Sequence, residues 1–270
     1  MKLLITDIDG SLLPFGQSEI SPALIEFFHG LDPSQVRVTF ATGKPFSRAL
    51  PLAQALNITT PLICANGALV KDPVTKEVLA CEPIETSIAT GIIELLAADP
   101  RCQLYPEVKD TLFYVQNSHI PFDAWRHRRP GWIEPTPYDP SKDMMGQMGG
   151  SPHKIAVSTS PSDRDTIEAL IQNKFGDQVH IFHPKPDIID ITSKNVDKGT
   201  AALSLAKLFG IPREDIIVVG DELNDLSLFE IAGTKLAREH APQALLDQAD
   251  QIVATGDTPL ILALKQTLKS

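Results

Sequence analysis

Residues Lys2 to Ile8 form an almost continuous apolar run, the pattern of a strand buried on both faces. A helix is predicted over Pro22–Phe28, with Ser21 as N-cap and Pro22 at its first position. Val36–Ala41 reads as a second buried strand, Phe46–Leu56 as a helix and Pro61–Cys64 as a third short strand. Alternating strands and helices predict a parallel sheet joined by right-handed crossovers. The same grammar returns late in the chain. Ile188–Thr192 is strand-like, Thr200–Phe209 has helical spacing at Ala201, Leu205 and Leu208, and Gly210 stops that helix. Ile216–Val219 is an apolar strand ending in Gly220-Asp221, and a helix resumes over Asp225–Ile231. A last unit runs through Gln251–Val253 to a helix near Pro259–Leu268.

The middle of the chain breaks this rhythm. It holds Pro-rich loops (Pro130, Pro135, Pro137, Pro140) and a Met/Gly run, Met144 to Gly150, expected to be flexible. Strand candidates Leu112–Gln116 and Lys154–Ser158 and a helix candidate Ser162–Phe175 lie among them. The expected fold class is α/β: a Rossmann-like parallel-sheet core formed by residues 1–82 and 186–270, with an α/β cap domain inserted at 83–185.

At 270 residues, 43% hydrophobic and 21% charged, the chain can bury a core. Lys and Arg number 24 against 34 Asp and Glu, a net charge of −10. That balance excludes a broad basic footprint for nucleic acid or an anionic membrane. No window approaches 18 apolar residues, so no membrane span is expected. The start meets an acid at Asp7, too early for a signal peptide, and Cys64, Cys81 and Cys102 form no CxxC pair. A reducing, cytoplasmic setting is the expectation.

Four clusters each lie just past the carboxyl end of a predicted strand or open a helix there, where ligands bind in open parallel sheets. The first is Asp7-Ile8-Asp9-Gly10-Ser11-Leu12-Leu13. Two like charges at ~4 Å repel by about 4 kcal/mol at an effective dielectric of 20. A divalent cation relieves that, and Mg²⁺ favours one or two carboxylates with waters and phosphate oxygens. An N-capping acid followed by a loop acid is the plainer account. The second, Thr42-Gly43-Lys44, offers a hydroxyl and backbone N–H groups to a phosphate, or is a simple turn. The third, Lys198-Gly199, opens a helix, where the lysine is either a fixed cation or a solvated one. The fourth, Gly220-Asp221-Glu222-Leu223-Asn224-Asp225, is either an acid site or an acid-rich helix start.

In the order D-x-D, T-G, K-G, G-D-x-x-N-D, the four together resemble the haloacid dehalogenase superfamily, specifically its Cof-type phosphatase branch. Asn66-Gly67-Ala68 also looks like that branch. The resemblance implies Asp7 as nucleophile and Asp9 as the acid that protonates the leaving oxygen and then activates water. It implies Thr42, Gly43, Lys198 and Asn224 as phosphate or substrate binders. It implies a Mg²⁺ site from Asp7, the Asp9 backbone carbonyl and Asp221, with Asp225 orienting the metal shell and Lys198. The implied reaction is hydrolysis of a small phosphorylated metabolite, sugar-phosphate-like, through an aspartyl-phosphate. Phosphoryl transfer asks for alignment and charge neutralisation, which such residues provide.

Three departures stand out. Ser11 replaces the usual Thr, Lys44 the common Arg, and Leu236-Ala237-Arg238-Glu239-His240-Ala241 the usual V-A-M-G-N-A. Arg126-His127-Arg128-Arg129 and the Met/Gly run are candidate specificity elements, or a solvated face and cap packing. His180 and His183 lack a third ligand for zinc. A phosphomutase, or a non-catalytic phosphate-binding protein on the same fold, are the alternative functions. Oligomeric state is not encoded in any motif.

Overall fold

The computed structural model describes residues 1–17, 19–109, 111–115, 135–139 and 141–269. In chain order the elements are β1 (Lys2–Thr6), α1 (Pro22–His29), β2 (Val36–Phe40), α2 (Phe46–Ala55), β3 (Leu62–Cys64), β4 (Leu69–Lys71) and β5 (Val78–Cys81). The inserted stretch holds α3 (Thr86–Leu96), β6 (Cys102–Val108), β7 (Thr111–Val115), β8 (Thr136–Tyr138), α4 (Met144–Met148), β9 (Lys154–Thr159), α5 (Arg164–Phe175), β10 (Val179–Lys185) and β11 (Ile188–Ser193). The chain ends with α6 (Lys198–Leu208), β12 (Ile216–Gly220), α7 (Leu226–Ile231), β13 (Thr234–Arg238), α8 (Gln243–Leu246), β14 (Gln251–Val253) and α9 (Asp257–Lys269). Among the described residues no helix is long and apolar enough to cross a membrane.

The chain divides into two units, Met1–Ala80 with Asp197–Ser270, and Cys81–Val196. In the first, five strands in the order β14-β13-β12-β1-β2 form a parallel sheet. β1 sits inside it, its Leu3, Leu4 and Ile5 fully buried, which is why its sequence is apolar on both faces. Alternate β1 side chains feed opposite cores: Leu4 joins Phe28, Phe40 and Leu264, whereas Leu3 and Ile5 join Ala202, Leu205 and Phe229. The expected cap of α1 is present, the Ser21 hydroxyl accepting from the Leu24 N–H at 3.3 Å.

Two sequence expectations change here. β3 was expected as a third parallel strand of this sheet, but only an isolated parallel bridge, Ala41 to Ile63, links it to the segment after β2. It heads a separate three-stranded sheet, β3-β4-β5. The cause is local: Ala65, Asn66 and Gly67 all adopt positive φ (50°, 58° and 105°), turning the chain back so that β4 runs antiparallel to β3. The second change is the return boundary. β11 was assigned to the core at residue 186, yet it pairs antiparallel with β9 and β10 and belongs to the inserted unit, which runs to Val196.

The inserted unit is a six-stranded sheet in the order β10-β11-β9-β6-β7-β8. One face carries Leu104, Ile155, Val157, Ile189 and Ile191 into a core completed by Ile92, Ile93, Ile167 and Ile171 of α3 and α5. The alternating positions of the same strands are polar and buried: Gln103, Glu107, Lys154, Ser158, Asp190 and Thr192. Lys154 Nζ lies 3.5 Å from both Glu107 and Asp190, so charges of opposite sign are matched within the face. The Met/Gly run is not a flexible loop over Met144–Met148. It forms α4, capped by the Asp143 carboxylate accepting from the Gly146 N–H at 3.0 Å, with Met144 and Met148 buried in the unit's core. His180 donates its Nδ1–H to the Val196 carbonyl at 2.8 Å, and His183 pairs with Glu168 at 2.9 Å, so each ring has a local partner.

Helices α6 and α7 touch backbone to backbone at Gly199, where a Cβ would fall 2.1 Å from the Ser227 carbonyl oxygen. The Gly199 N–H also donates to the Ser227 hydroxyl at 3.0 Å. Gly199→Ala is expected to destabilise the protein by about 1–3 kcal/mol through overpacking. Urea titration measures this; an unshifted midpoint would show that the helices have room to part.

Candidate active site

Asp7 follows β1 directly, and its N–H donates to the Val219 carbonyl of neighbouring β12 at 3.0 Å. Asp221 follows β12, and Thr42 lies two residues past β2, its N–H bound to the Ile63 carbonyl at 2.9 Å. Parallel pairing therefore brings three chemically distinct loops to one edge of one sheet. The fourth group arrives from a helix start. Lys198 is the first residue of α6, whose N-cap Asp197 accepts from the Thr200 N–H at 2.7 Å.

Lys198 Nζ lies 2.7 Å from Asp225 Oδ1 and 3.0 Å from Asp7 Oδ1, with its side chain fully buried. Burial alone would push the ammonium pKa down, but the Asp225 and Asp7 charges outweigh it and hold Lys198 above its ordinary value. Burial pushes Asp7 up to about 6, Lys198 opposing and Asp225 adding. Asp221 is driven further, up to about 8, by burial and then by the charges of Asp7 and Asp225.

The carboxylates have different tasks. Asp225 uses both oxygens: Oδ1 takes Lys198, and Oδ2 accepts from the Asp221 and Glu222 N–H groups at 2.9 and 3.1 Å. It clamps the loop in place. Gly220 permits this approach, since a Cβ there would lie 2.7 Å from the Asp225 Cβ. Asp221 Oδ1 accepts from the Ser11 hydroxyl at 2.7 Å. Asp221 Oδ2 is buried without a hydrogen bond; His240 Nε2, at 3.5 Å, is a long contact. Ligand atoms of Asp7, Asp221 and Asp225 lie within 4.8 Å of one another. Asp7 and Asp225 share Lys198, Asp221 has no cationic partner closer than His240 at 3.5 Å, and its buried Oδ2 stands without a hydrogen bond. A divalent cation fits that donor set.

Thr42, Gly43 and Asn224 meet through a residue outside the expected site set. Asn224 Nδ2 donates to Asn66 Oδ1 at 3.0 Å, and a Cβ on Gly43 would lie 3.2 Å from that same oxygen. The Thr42 hydroxyl accepts from the Lys44 N–H at 3.2 Å, forming the phosphate-type turn. Asp9 stands apart from the acid cluster. Its carboxylate Oδ2 pairs with Lys44 Nζ at 2.5 Å. The two departures therefore act locally: Lys44 holds Asp9, and His240 faces Asp221. Arg238 is buried, its guanidinium donating to the Gly256 carbonyl at 3.3 Å. The basic run Arg126–Arg129 lies outside the described residues. Sequence reasoning missed Phe15, whose exposed ring packs edge to face on His240 at 5.6 Å between centroids. An aromatic between Pro14 and Gly16 was the available signal.

A family model described as haloacid dehalogenase-like hydrolase matches residues 4–258. The pyridoxal phosphate phosphatase YbhA of Escherichia coli is 25% identical, the match covering 96% of each chain. The 5-amino-6-(5-phospho-D-ribitylamino)uracil phosphatase YitU of Bacillus subtilis is 23% identical over 94% of this chain and 93% of its own. Among solved structures, a Thermotoga maritima protein superimposes with a TM-score of 0.82 at 26% identity, covering 98% of this chain and 97% of that one. A sugar phosphatase of haloacid dehalogenase subclass IIB gives 0.78 at 19% identity and 99% coverage of both, a likeness of fold alone.

The raised aspartate pKa values carry a stability consequence. Asp7 and Asp221 bind protons more tightly folded than unfolded, so their contribution favours the folded state at low pH and fades as pH rises from about 4 through about 8. The melting temperature of metal-free protein should therefore fall between pH 5 and 8.5. Millimolar Mg²⁺ should remove most of the fall. Asp221→Asn should remove the part of the decline above about pH 6, leaving the Asp7 part, and should weaken the Mg²⁺ effect; the same decline in Asp221→Asn as in wild type would show that Asp221 is not a source of it.

Proposed function

Because the chain belongs to the haloacid dehalogenase-like hydrolases, we propose that it is a Mg²⁺-dependent phosphatase of small phosphorylated metabolites working through an aspartyl-phosphate on Asp7. The observation that carries the reading is the buried Asp7–Lys198–Asp225 array beside the unpartnered oxygen of Asp221. A purely structural ion network would satisfy that oxygen. The sugar-phosphate class expected from the sequence is one member of the range that the named relatives cover, and the inserted unit corresponds to the cap domain of the family.

Asp7 attacks phosphorus, and the bond from phosphorus to the ester oxygen breaks as the Asp7–phosphorus bond forms. Asp9 donates a proton to the departing alcohol oxygen. Asp9, now the base, takes a proton from water as the water oxygen attacks phosphorus, releasing inorganic phosphate and the Asp7 carboxylate. Lys44 orients the Asp9 carboxylate through these two transfers. Thr42, the Gly43 N–H, Lys198 and Asn224 hold the phosphate oxygens. Asp7, Asp221 and the Asp9 backbone carbonyl would hold Mg²⁺, which would supply charge neutralisation for an anionic nucleophile approaching an anionic ester. Lys198 keeps Asp7 ionised and aimed, because its own charge is fixed by Asp225.

Two substitutions separate the roles. Asp7→Asn keeps the shape and removes the attacking charge, so phosphate release should vanish while circular dichroism is unchanged; retained turnover would refute Asp7 as nucleophile. Asp9→Asn should still bind Mg²⁺ and should give a burst of aryl alcohol from an activated aryl phosphate, followed by slow turnover. A good leaving group needs little protonation, whereas the second step lacks its base for every substrate. Single-turnover mixing measures this; loss of both the burst and Mg²⁺ binding would make Asp9 a side-chain ligand.

A further inference from the structure

Phe15 is a large apolar side chain, 57% exposed, that belongs to none of the buried cores of its unit. Its position is fixed by the backbone. The Leu12 and Leu13 N–H groups both donate to the Ile8 carbonyl, at 3.0 and 2.7 Å, and the Gly10 N–H donates to the Leu13 carbonyl at 2.7 Å. Pro14 follows, its carbonyl accepting from the Gln17 N–H at 3.1 Å, and Gly16 takes φ +83°. This double turn carries the Phe15 ring back over Gly10. A Cβ placed on Gly10 would lie 2.7 Å from Phe15 Cζ and 1.9 Å from Asp221 Oδ2, so the ring tip and the acid flank one small space. On its other side the ring meets His240 edge to face, centroids 5.6 Å apart and planes at 67°. His240 in turn reaches Asp221 Oδ2. A second exposed apolar side chain, Leu223, 57% exposed, lies in the loop that follows Asp221.

Phe15 thus presents an exposed aromatic surface that is backed by the His240 ring and adjoins the buried Asp221 carboxylate, so a ligand reaching that acid has a ring to pack on. We propose that Phe15, backed by His240, is a specificity-determining residue that stacks on a planar unsaturated ring in the alcohol portion of the phosphate ester. The site then favours aromatic or heteroaromatic monophosphates over saturated polyol phosphates. The inference rests on the phosphatase reading above and narrows its substrate. Neither Phe15 nor Leu223 offers a hydrogen bond, so polyol hydroxyl groups placed against them would lose water without replacement. A flat ring loses little water and gains an offset or edge-to-face contact.

Benzyl phosphate and cyclohexylmethyl phosphate test this on the full Mg²⁺-loaded chain, with glycerol phosphate as the control for phosphatase activity. Both test esters leave as primary alcohols, so the chemistry is matched and only ring planarity differs. Benzyl phosphate should have a KM roughly two- to tenfold lower. That ratio should collapse toward one in Phe15→Leu, which keeps apolar bulk without a flat face, and should persist in Phe15→Tyr. Equal KM values in the wild type, or an unchanged ratio in Phe15→Leu, overturn the proposal. Failure to turn over any of the three esters overturns the phosphatase reading instead. The ratio is then read as dissociation constants by calorimetry, where equal values for the two ring esters overturn the stacking role.

Discussion

Lys198 Nζ lies between Asp7 and Asp225 with no exposed side-chain surface, and every other part of the site is arranged around that fact. A buried ammonium is costly unless its partners are close and themselves held, and removing one partner of such an array costs about 3–5 kcal/mol. Each anchor is therefore secured by backbone. Asp7 is fixed by the pairing of β1 with β12. Asp225 is fixed by two N–H groups of its own loop. Lys198 is fixed by an N-capped helix start that Gly199 lets sit against α7. The order that a phosphoryl-transfer site needs is thus imposed by a charge constraint already present in the fold.

The same constraint explains why the acids differ in state while sharing one small volume. Asp225 is neutralised by contact with Lys198, Asp7 shares that cation, and Asp221 receives only a hydroxyl and a long contact to His240. The acid with least compensation is the one raised furthest. A gradient from fully paired to unpaired carboxylate thus runs from Asp225 through Asp7 to Asp221, with no change in residue type.

Reading the sequence located this edge because its signals are local: an apolar run ends, and an acid, a Thr-Gly or a Gly-Asp follows. Asp7, Thr42 and Asp221 carry that signature, Lys198 and Asp225 lie at helix starts close by, and the parallel sheet follows from the alternation of runs. What was not legible depends on contacts distant in sequence. Asn66 is 158 residues from Asn224, and nothing around either residue specifies their hydrogen bond. β11 has the apolar composition of a core strand, and only its antiparallel partners β9 and β10 place it in the inserted unit. The reversal of β3 into β4 needed three consecutive positive φ values, two of them on Ala65 and Asn66, which composition does not announce. The Met144–Met148 run looked flexible from its glycines, but burial of Met144 and Met148 and the Asp143 cap outweigh that preference.

The site thus combines two kinds of determinant with different tolerance to change. The ionic array is closed: each member contacts another buried charge, so a substitution at one leaves the rest uncompensated. The rim is open. Phe15 contacts His240 and solvent, and Lys44 and Asp9 form a half-exposed pair. Phe15, 57% exposed, can change size and polarity at small cost to stability, because most of its surface is in water. The named departures of this chain fall on both sides of that divide: Lys44 and His240 are partly exposed, whereas Ser11 is buried against Asp221 and Arg238 is buried beside Gly256.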